Sequence, residues 1–165
     1  MIIGGQAVLL YGEPRLTKDI DVILGVGPDH LEELLSIAKK LRLKVIINNV
    51  QDFVNQTFVL PVFDEKSGFR VDFIFSVSLY EKTALKRVSY IKIGKAKVRF
   101  TSIEDLIIHK IIAGRPRDIE DIEYVILKNP QFDKEYVIKW LDNFDKRLDK
   151  SYVMQFKKML SKNVI

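Results

Sequence analysis

The segment Asp19-Ile20-Asp21-Val22-Ile23-Leu24 constrains the fold more than any other stretch of the chain. Its apolar members are β-branched or leucine, so it reads as a strand, yet aspartate is depleted in strands. A strand repeats every two residues, so Asp19 and Asp21 project from one face while Ile20 and Val22 project from the other. One face can therefore be buried, and the other must tolerate two carboxylates with Cβ atoms about 6–7 Å apart. Such a pair is either two exposed acids on an edge strand or a place where a cation relieves their repulsion. Mg²⁺ takes hard oxygen ligands of this kind.

A second strand carries a third acid. In Phe69-Arg70-Val71-Asp72-Phe73-Ile74-Phe75 the alternation sets Phe69, Val71, Phe73 and Phe75 on one face and Arg70, Asp72 and Ile74 on the other. Asp72, flanked by Val71 and Phe73, needs a partner if the strand is central. That partner is either a base such as Arg70 or a metal. If this strand neighbours the first, three carboxylates converge on one cleft that could hold two divalent ions. Asp72 could then also take a proton from an attacking hydroxyl.

Gly4-Gly5 stands just before a helix start. Glycines there either make a tight turn or let backbone N–H groups approach an anion at the positive end of the helix dipole. Along the rest of the chain the pattern predicts a helix over 6–11, the strand over 19–24, a helix over 30–43 with Asp29 as N-cap, a strand over 44–48 and a helical turn over 51–56. A hairpin of 57–63 with 69–75 follows, then a helix over 79–88 and a second hairpin of 90–93 with 96–100, turned by Gly94-Lys95. Thr101-Ser102-Ile103-Glu104 reads as a capping box opening a helix to Ala113. Helices over 119–128, 134–143 and 146–161 complete the chain. The fold class is α+β, a mixed sheet flanked by helices in residues 1–100 with a helical C-terminal part, 101–165, in a single compact domain overall. Trp140, Leu141, Phe144, Leu148, Tyr152 and Phe156 are expected to pack on the sheet or on each other.

Composition narrows the chemistry. Without cysteine there is no disulfide framework, cysteine-ligated zinc, iron–sulfur cluster or thiol catalysis. No apolar run approaches the ~20 residues of a membrane span, and the start lacks a signal peptide's basic region, so a cytoplasmic protein with no membrane partner is expected. The 27 Lys and Arg against 22 Asp and Glu leave a net charge of +5, which favours an anionic partner. Lys82, Lys86, Arg87, Lys92, Lys95, Lys97 and Arg99 fall in one stretch without an acid between them. They form either a solvated face or an electrostatic track for nucleic acid. His30 and His109 have no ligand-like spacing.

Together, Gly4-Gly5, Asp19-Ile20-Asp21 and Val71-Asp72-Phe73 resemble the active-site signature of the DNA polymerase beta-like nucleotidyltransferase superfamily. The string from Gly4-Gly5-Gln6-Ala7 through Gly12-Glu13-Pro14-Arg15-Leu16-Thr17-Lys18-Asp19-Ile20-Asp21 is similar to small prokaryotic nucleotidyltransferases related to AbiE-type (AbiEii) abortive-infection toxins. The likeness continues at Thr101–Ile107, Lys110, Gly114–Asp118 and Asp121, covering about residues 2–127. The resemblance implies Asp19, Asp21 and Asp72 as ligands of Mg²⁺ or Mn²⁺, with Asp72 also a candidate base. It implies Gly4 and Gly5 as the phosphate cradle, and Arg15 and Thr17 in the segment that enters the site.

Arg15 suits a triphosphate, although a solvated surface would serve it equally. Lys110, on the apolar face of its helix, either snorkels or points at a phosphate. Arg115, Arg117, Asp118 and Asp121 are expected to form an ion-pair network that locks the next helix. Two departures from the pattern stand out. Many relatives have serine where this chain has Gly5, to touch the phosphate. They also carry a helix and most of a strand ahead of the glycine pair, where only Met1, Ile2 and Ile3 stand here; a sheet edge left uncovered would favour a homodimer. The expected function is metal-dependent transfer of a nucleoside monophosphate from an NTP to an acceptor hydroxyl. The alternative is a weakly active or inactive member of a toxin–antitoxin or defence pair that binds RNA or a protein.

Overall fold

In the computed structural model, which describes residues 1–162, the alternating segments form strands β1 (Ile2–Ile3), β2 (Asp19–Ile23), β3 (Lys44–Val45), β4 (Val59–Asp64), β5 (Phe69–Ile74), β6 (Ser89–Ile93) and β7 (Ala96–Phe100). The helices are α1 (Gly4–Tyr11), α2 (Leu31–Lys40), α3 (Val50–Thr57), α4 (Leu79–Ala84), α5 (Ile103–Ala113), α6 (Pro116–Lys128), α7 (Lys134–Leu148) and α8 (Tyr152–Lys162). The chain divides into two compact units. One comprises Met1–Gln6 and Leu16–Thr101, the other Ala7–Arg15 and the chain from Ser102 on. Residues 7–15, expected with the sheet, cluster instead with the C-terminal helices. Asn129 Nδ2 donates to the Tyr11 carbonyl at 2.8 Å and Lys128 Nζ to the Gly12 carbonyl at 3.1 Å.

The first unit holds one mixed sheet in the order β3-β4-β5-β2-β1-β7-β6. Register fixes its two faces. β2 and β5 run parallel with Ile20 beside Val71 and Val22 beside Phe73, and β4 sets Leu60 against Phe73 and Val62 against Val71. These residues share one face, where Leu60, Val62, Val71 and Phe73 join Leu31, Leu34 and Ala38 of α2 and Val54 of α3 in a continuous core. Burying a side chain such as Leu60 contributes about 1.5–3 kcal/mol. Ile2 pairs with both Val22 and Phe100, so the core face continues across β1 into β7. The short β1 is thus interior, and the sheet edges are β3 and β6.

In the second unit α5 is apolar around most of its circumference, as a central helix must be. Leu106, Ile107, Ile108 and Ile111 are all buried there, with Ile122 and Val125 of α6, Leu141 of α7 and Phe156 of α8. Of the residues expected to pack together, Trp140 and Phe144 do, with ring centroids 6.5 Å apart; Trp140 also lies edge-on to Tyr136 at 6.4 Å and Phe156 edge-on to Phe132 at 6.2 Å, while Leu148 is exposed.

Local signals account for three of the departures from the expected element ends. The N-cap of α5 is Ser102, not Thr101: its Oγ accepts from the Asp105 N–H at 3.1 Å, so the expected box with Glu104 does not form. Asp29 lies inside a short 3₁₀ turn, Pro28–His30, and caps nothing. The last two helices part at 149–151 rather than at 144–145. Asp149 takes the left-handed conformation there, and the Asp145 carboxylate accepts from the N–H groups of Tyr152 and Val153 at 2.6 and 3.0 Å.

Candidate active site

The sheet face opposite the core carries the acids. Asp19 and Asp21 point there by alternation, and the parallel register places Asp21 beside Asp72 and Asp19 beside Arg70. All three aspartates therefore share one face of two adjacent strands. The Arg70 guanidinium lies among them: its Nε donates to Asp72 Oδ1 at 2.8 Å. That hydrogen bond and the charges of Asp72, Asp19 and Asp21 hold the guanidinium pKa above its ordinary value, against a smaller opposing effect of burial. The arginine thus lies in the combined field of three carboxylates on one sheet face.

The glycine pair closes over this face. Gly4 has φ +63°, the left-handed region, and a Cβ there would run into the Asp21 carboxylate. The backbone at Gly4 thus lies directly against Asp21. A Cβ on Gly5 would meet Thr17 Oγ1 at 2.7 Å, so the Thr17 hydroxyl takes the space that a larger residue at position 5 would need. Thr17 Oγ1 also donates to the Asp19 carbonyl at 3.3 Å, and Gln6 Nε2 to the same oxygen at 3.5 Å. Gly4, Gly5, Thr17, Asp19, Asp21 and Asp72 are in this way gathered within the sheet-bearing unit.

Arg15 and Lys110, expected to meet a phosphate, are placed otherwise. Within the helical unit Lys110 is 5% exposed and donates to Asp118 at 2.6 Å and Asp121 at 2.7 Å. Arg15 grips Asp121 through Nε and Nη2, both at 2.9 Å, and Arg115 pairs with Asp118 at 2.6 Å. Burial pushes the Asp118 and Asp121 carboxyls up. The hydrogen bonds from Arg115 and Lys110 to Asp118, and from Arg15 and Lys110 to Asp121, outweigh it and hold both below the usual carboxylate range. The physical reason for this pairing is desolvation: an ammonium so deep in the helices requires carboxylate partners, and Asp118 and Asp121 supply them. Of the expected network, Arg115, Asp118 and Asp121 take part, with Lys110 at its centre and Arg15 at its rim, whereas Arg117 is exposed. Sequence reasoning missed the pairing of Arg15 with Asp121, a contact across 106 positions that nothing local signals.

The donors fit a hard divalent cation, being carboxylates on one face with Asp21 and Asp72 as register neighbours. Among the described residues, however, no three acidic or imidazole side chains are gathered closely enough to hold one ion. Arg70 pairs with Asp72 at 2.8 Å, so one of the three carboxylates already has a cationic partner.

Among solved structures, an antigenic nucleotidyltransferase-like protein from Paracoccidioides brasiliensis aligns with 88% of this chain and 78% of its own, at 19% identity and a TM-score of 0.52, a likeness of fold. The lincosamide antibiotic adenylyltransferase LnuA, bound to lincomycin, aligns over 73% of this chain and 80% of its own at 14% identity, with a TM-score of 0.47. No match is found among curated proteins. Among the described residues no helix is long and apolar enough to cross a membrane. The family model described as nucleotidyltransferase of unknown function (DUF6036) matches residues 1–159, nearly the whole length, and the chain belongs to that family.

Proposed function

We propose that this nucleotidyltransferase moves a nucleoside monophosphate from an NTP to an acceptor hydroxyl, with Asp19, Asp21 and Asp72 as its catalytic set. One observation carries the reading: Asp21 and Asp72 stand side by side on parallel strands, Asp19 shares their face, and the Gly4 backbone abuts Asp21. Asp21 and Asp72, side by side, would supply carboxylate oxygens to Mg²⁺ or Mn²⁺ with Asp19 on the same face, and the ion when bound would neutralise their charge and polarise the triphosphate. The Gly4 backbone lies against Asp21 and the Thr17 hydroxyl beside Gly5, and the N–H groups of Gly4 and Gly5 with that hydroxyl would orient phosphate oxygens. Asp72 Oδ1 is engaged by Arg70, so Oδ2 is the atom that would accept the acceptor's proton. The acceptor oxygen bonds to the α-phosphorus, the bridge to the β-phosphate breaks, and pyrophosphate leaves. The relationship to AbiE-type toxins rests on the strings quoted above and remains part of this proposal.

Calorimetry tests the assignment. The wild type should bind an NTP only with Mg²⁺ or Mn²⁺ present, and Asp19→Asn or Asp21→Asn should weaken that binding at least tenfold without moving the thermal melt. Equal binding by wild type and variants would remove the site. A second reading is favoured by the Arg70–Asp72 pair, because a guanidinium among the acids is what an inactive scaffold in a defence pair would retain. Incubation with each α-labelled NTP, Mn²⁺ and total cellular RNA and protein separates the two. Label transferred to any acceptor supports the enzyme, while a stably captured partner with no transfer supports the scaffold.

A further inference from the structure

The β6–β7 hairpin has a face that the nucleotide site does not explain. Its register sets Tyr90 opposite Arg99, Ile91 opposite Val98 and Lys92 opposite Lys97. Ser89, Ile91, Val98 and Phe100 are the more buried set, whereas Tyr90, Lys92, Lys97 and Arg99 are exposed, with Lys95 in the turn. Phe100 pairs with Ile2, which pairs with Val22, so the buried set belongs to the core face. The basic set therefore lies on the same sheet face as Asp19, Asp21 and Asp72. Two strand spacings across and two residues along separate Arg99 from Asp21, about 12 Å between Cα atoms.

Three features set this face apart from ordinary edge protection. Lysines that merely block edge pairing belong on the edge strand, but Lys97 and Arg99 are on β7, which is interior. Lys92 and Lys97 stand directly opposite each other, a like-charge pair that costs the hairpin stability. Among the described residues no carboxylate pairs with Lys92, Lys95, Lys97 or Arg99, and the chain has no acid between Glu81 and Glu104. Tyr90 adds an aromatic ring, 53% exposed, with Lys97 Nζ 4.4 Å from its centroid. Cations at strand spacing around one exposed ring suit a charged backbone carrying flat bases; an acidic peptide offers no base to stack.

We propose that this hairpin face binds a single-stranded polynucleotide, with Lys92, Lys95, Lys97 and Arg99 on its phosphates and Tyr90 against a base, and leads its end toward the aspartates as the acceptor. The acceptor role rests on the function proposed above; the binding itself does not. Fluorescence anisotropy with a labelled single-stranded RNA and a DNA of the same sequence tests it across a salt series, with polyglutamate as competitor. Removing three phosphate contacts in Lys92→Gln/Lys97→Gln/Arg99→Gln should lower the slope of log K against log salt by about 2, which is about a hundredfold in affinity near 0.1 M salt. Tyr90→Ala should lose about fivefold or more with the slope unchanged, because stacking is not ionic.

Mg²⁺–NTP binding should match wild type in both variants, and the triple variant, relieved of the Lys92–Lys97 repulsion, should melt no lower than wild type. Binding of either RNA or DNA with these losses supports the hairpin, and the stronger arm identifies the sugar. An unchanged slope in the triple variant, no polynucleotide binding by wild type at low salt, or displacement by polyglutamate at equal charge would overturn it; the last would point to an acidic protein. A wild type that binds RNA but no NTP would defeat the catalytic reading and leave the hairpin standing.

Discussion

Gly4 shows how a single residue can set the whole site. Its φ of +63° suits glycine, and the space beside its Cα belongs to the Asp21 carboxylate. Gly4→Ala should cost about 1–2 kcal/mol of stability from the left-handed backbone alone, read as a lower urea midpoint. It should also displace Asp21 and weaken Mg²⁺–NTP binding beyond what the loss of stability explains. An alanine variant with wild-type nucleotide affinity would show that the turn does not position the acid. Gly5 illustrates a different economy, since the Thr17 hydroxyl already lies where a residue at position 5 would extend. Arg70 was visible in the sequence too, two positions before Asp72 and so on its face, as one of two partners that acid could have. The structure selects the arginine as the group paired with Asp72.

At the scale of elements, α5 and α6 are joined through Lys110, Asp118 and Asp121. Lys110→Met removes the central cation and leaves two buried carboxylates to share Arg15 and Arg115. The expected loss is about 3–5 kcal/mol, the usual consequence of breaking a buried ion pair from one side, measured by urea denaturation. Unchanged stability with weakened nucleotide binding would return Lys110 to the phosphate role that its sequence position suggests. The elements themselves were largely legible because their periods are strong: α5 spans Ile103–Ala113 as expected, and the turn at Gly94-Lys95 fixes its hairpin. Boundaries moved where a side chain competes for backbone groups. Ser102 captured the start of α5, and Asp145 captured the start of α8 from within α7.

For the molecule as a whole, stability should fall on the acid side in two phases. Burial lowers the His109 pKa from 6.5 to about 4, and its Nδ1 is sealed from solvent. The unfolded chain takes up that proton below about pH 6.5 while the fold resists it, so stability is full above 6.5 and declines as the pH falls toward 4. Asp118 and Asp121 have folded values below the ordinary carboxylate range, so their contribution is complete above about pH 4 and is lost as the pH drops through those lower values. Urea midpoints should therefore be level from pH 8 to 7, fall below about 6.5 and fall further below 4, and His109→Gln should remove the first phase. A midpoint that does not change between pH 7.5 and 5 would contradict the burial of a neutral imidazole.

The sequence by itself determined that Asp19 and Asp21 share a face, that Asp72 shares a face with Arg70, and that an α+β front gives way to helices, because strand and helix periods are properties of neighbouring residues. Only the tertiary structure decided that β2 and β5 are adjacent, and which carboxylate each buried or half-buried cation would meet. Strand order and ion pairing join residues far apart in the chain, and they are settled by which apolar faces can be buried together and which charges then lose their water. The same physics took Arg15 and Lys110 into an ion-pair cluster among the helices and set the basic hairpin on the face of the acids.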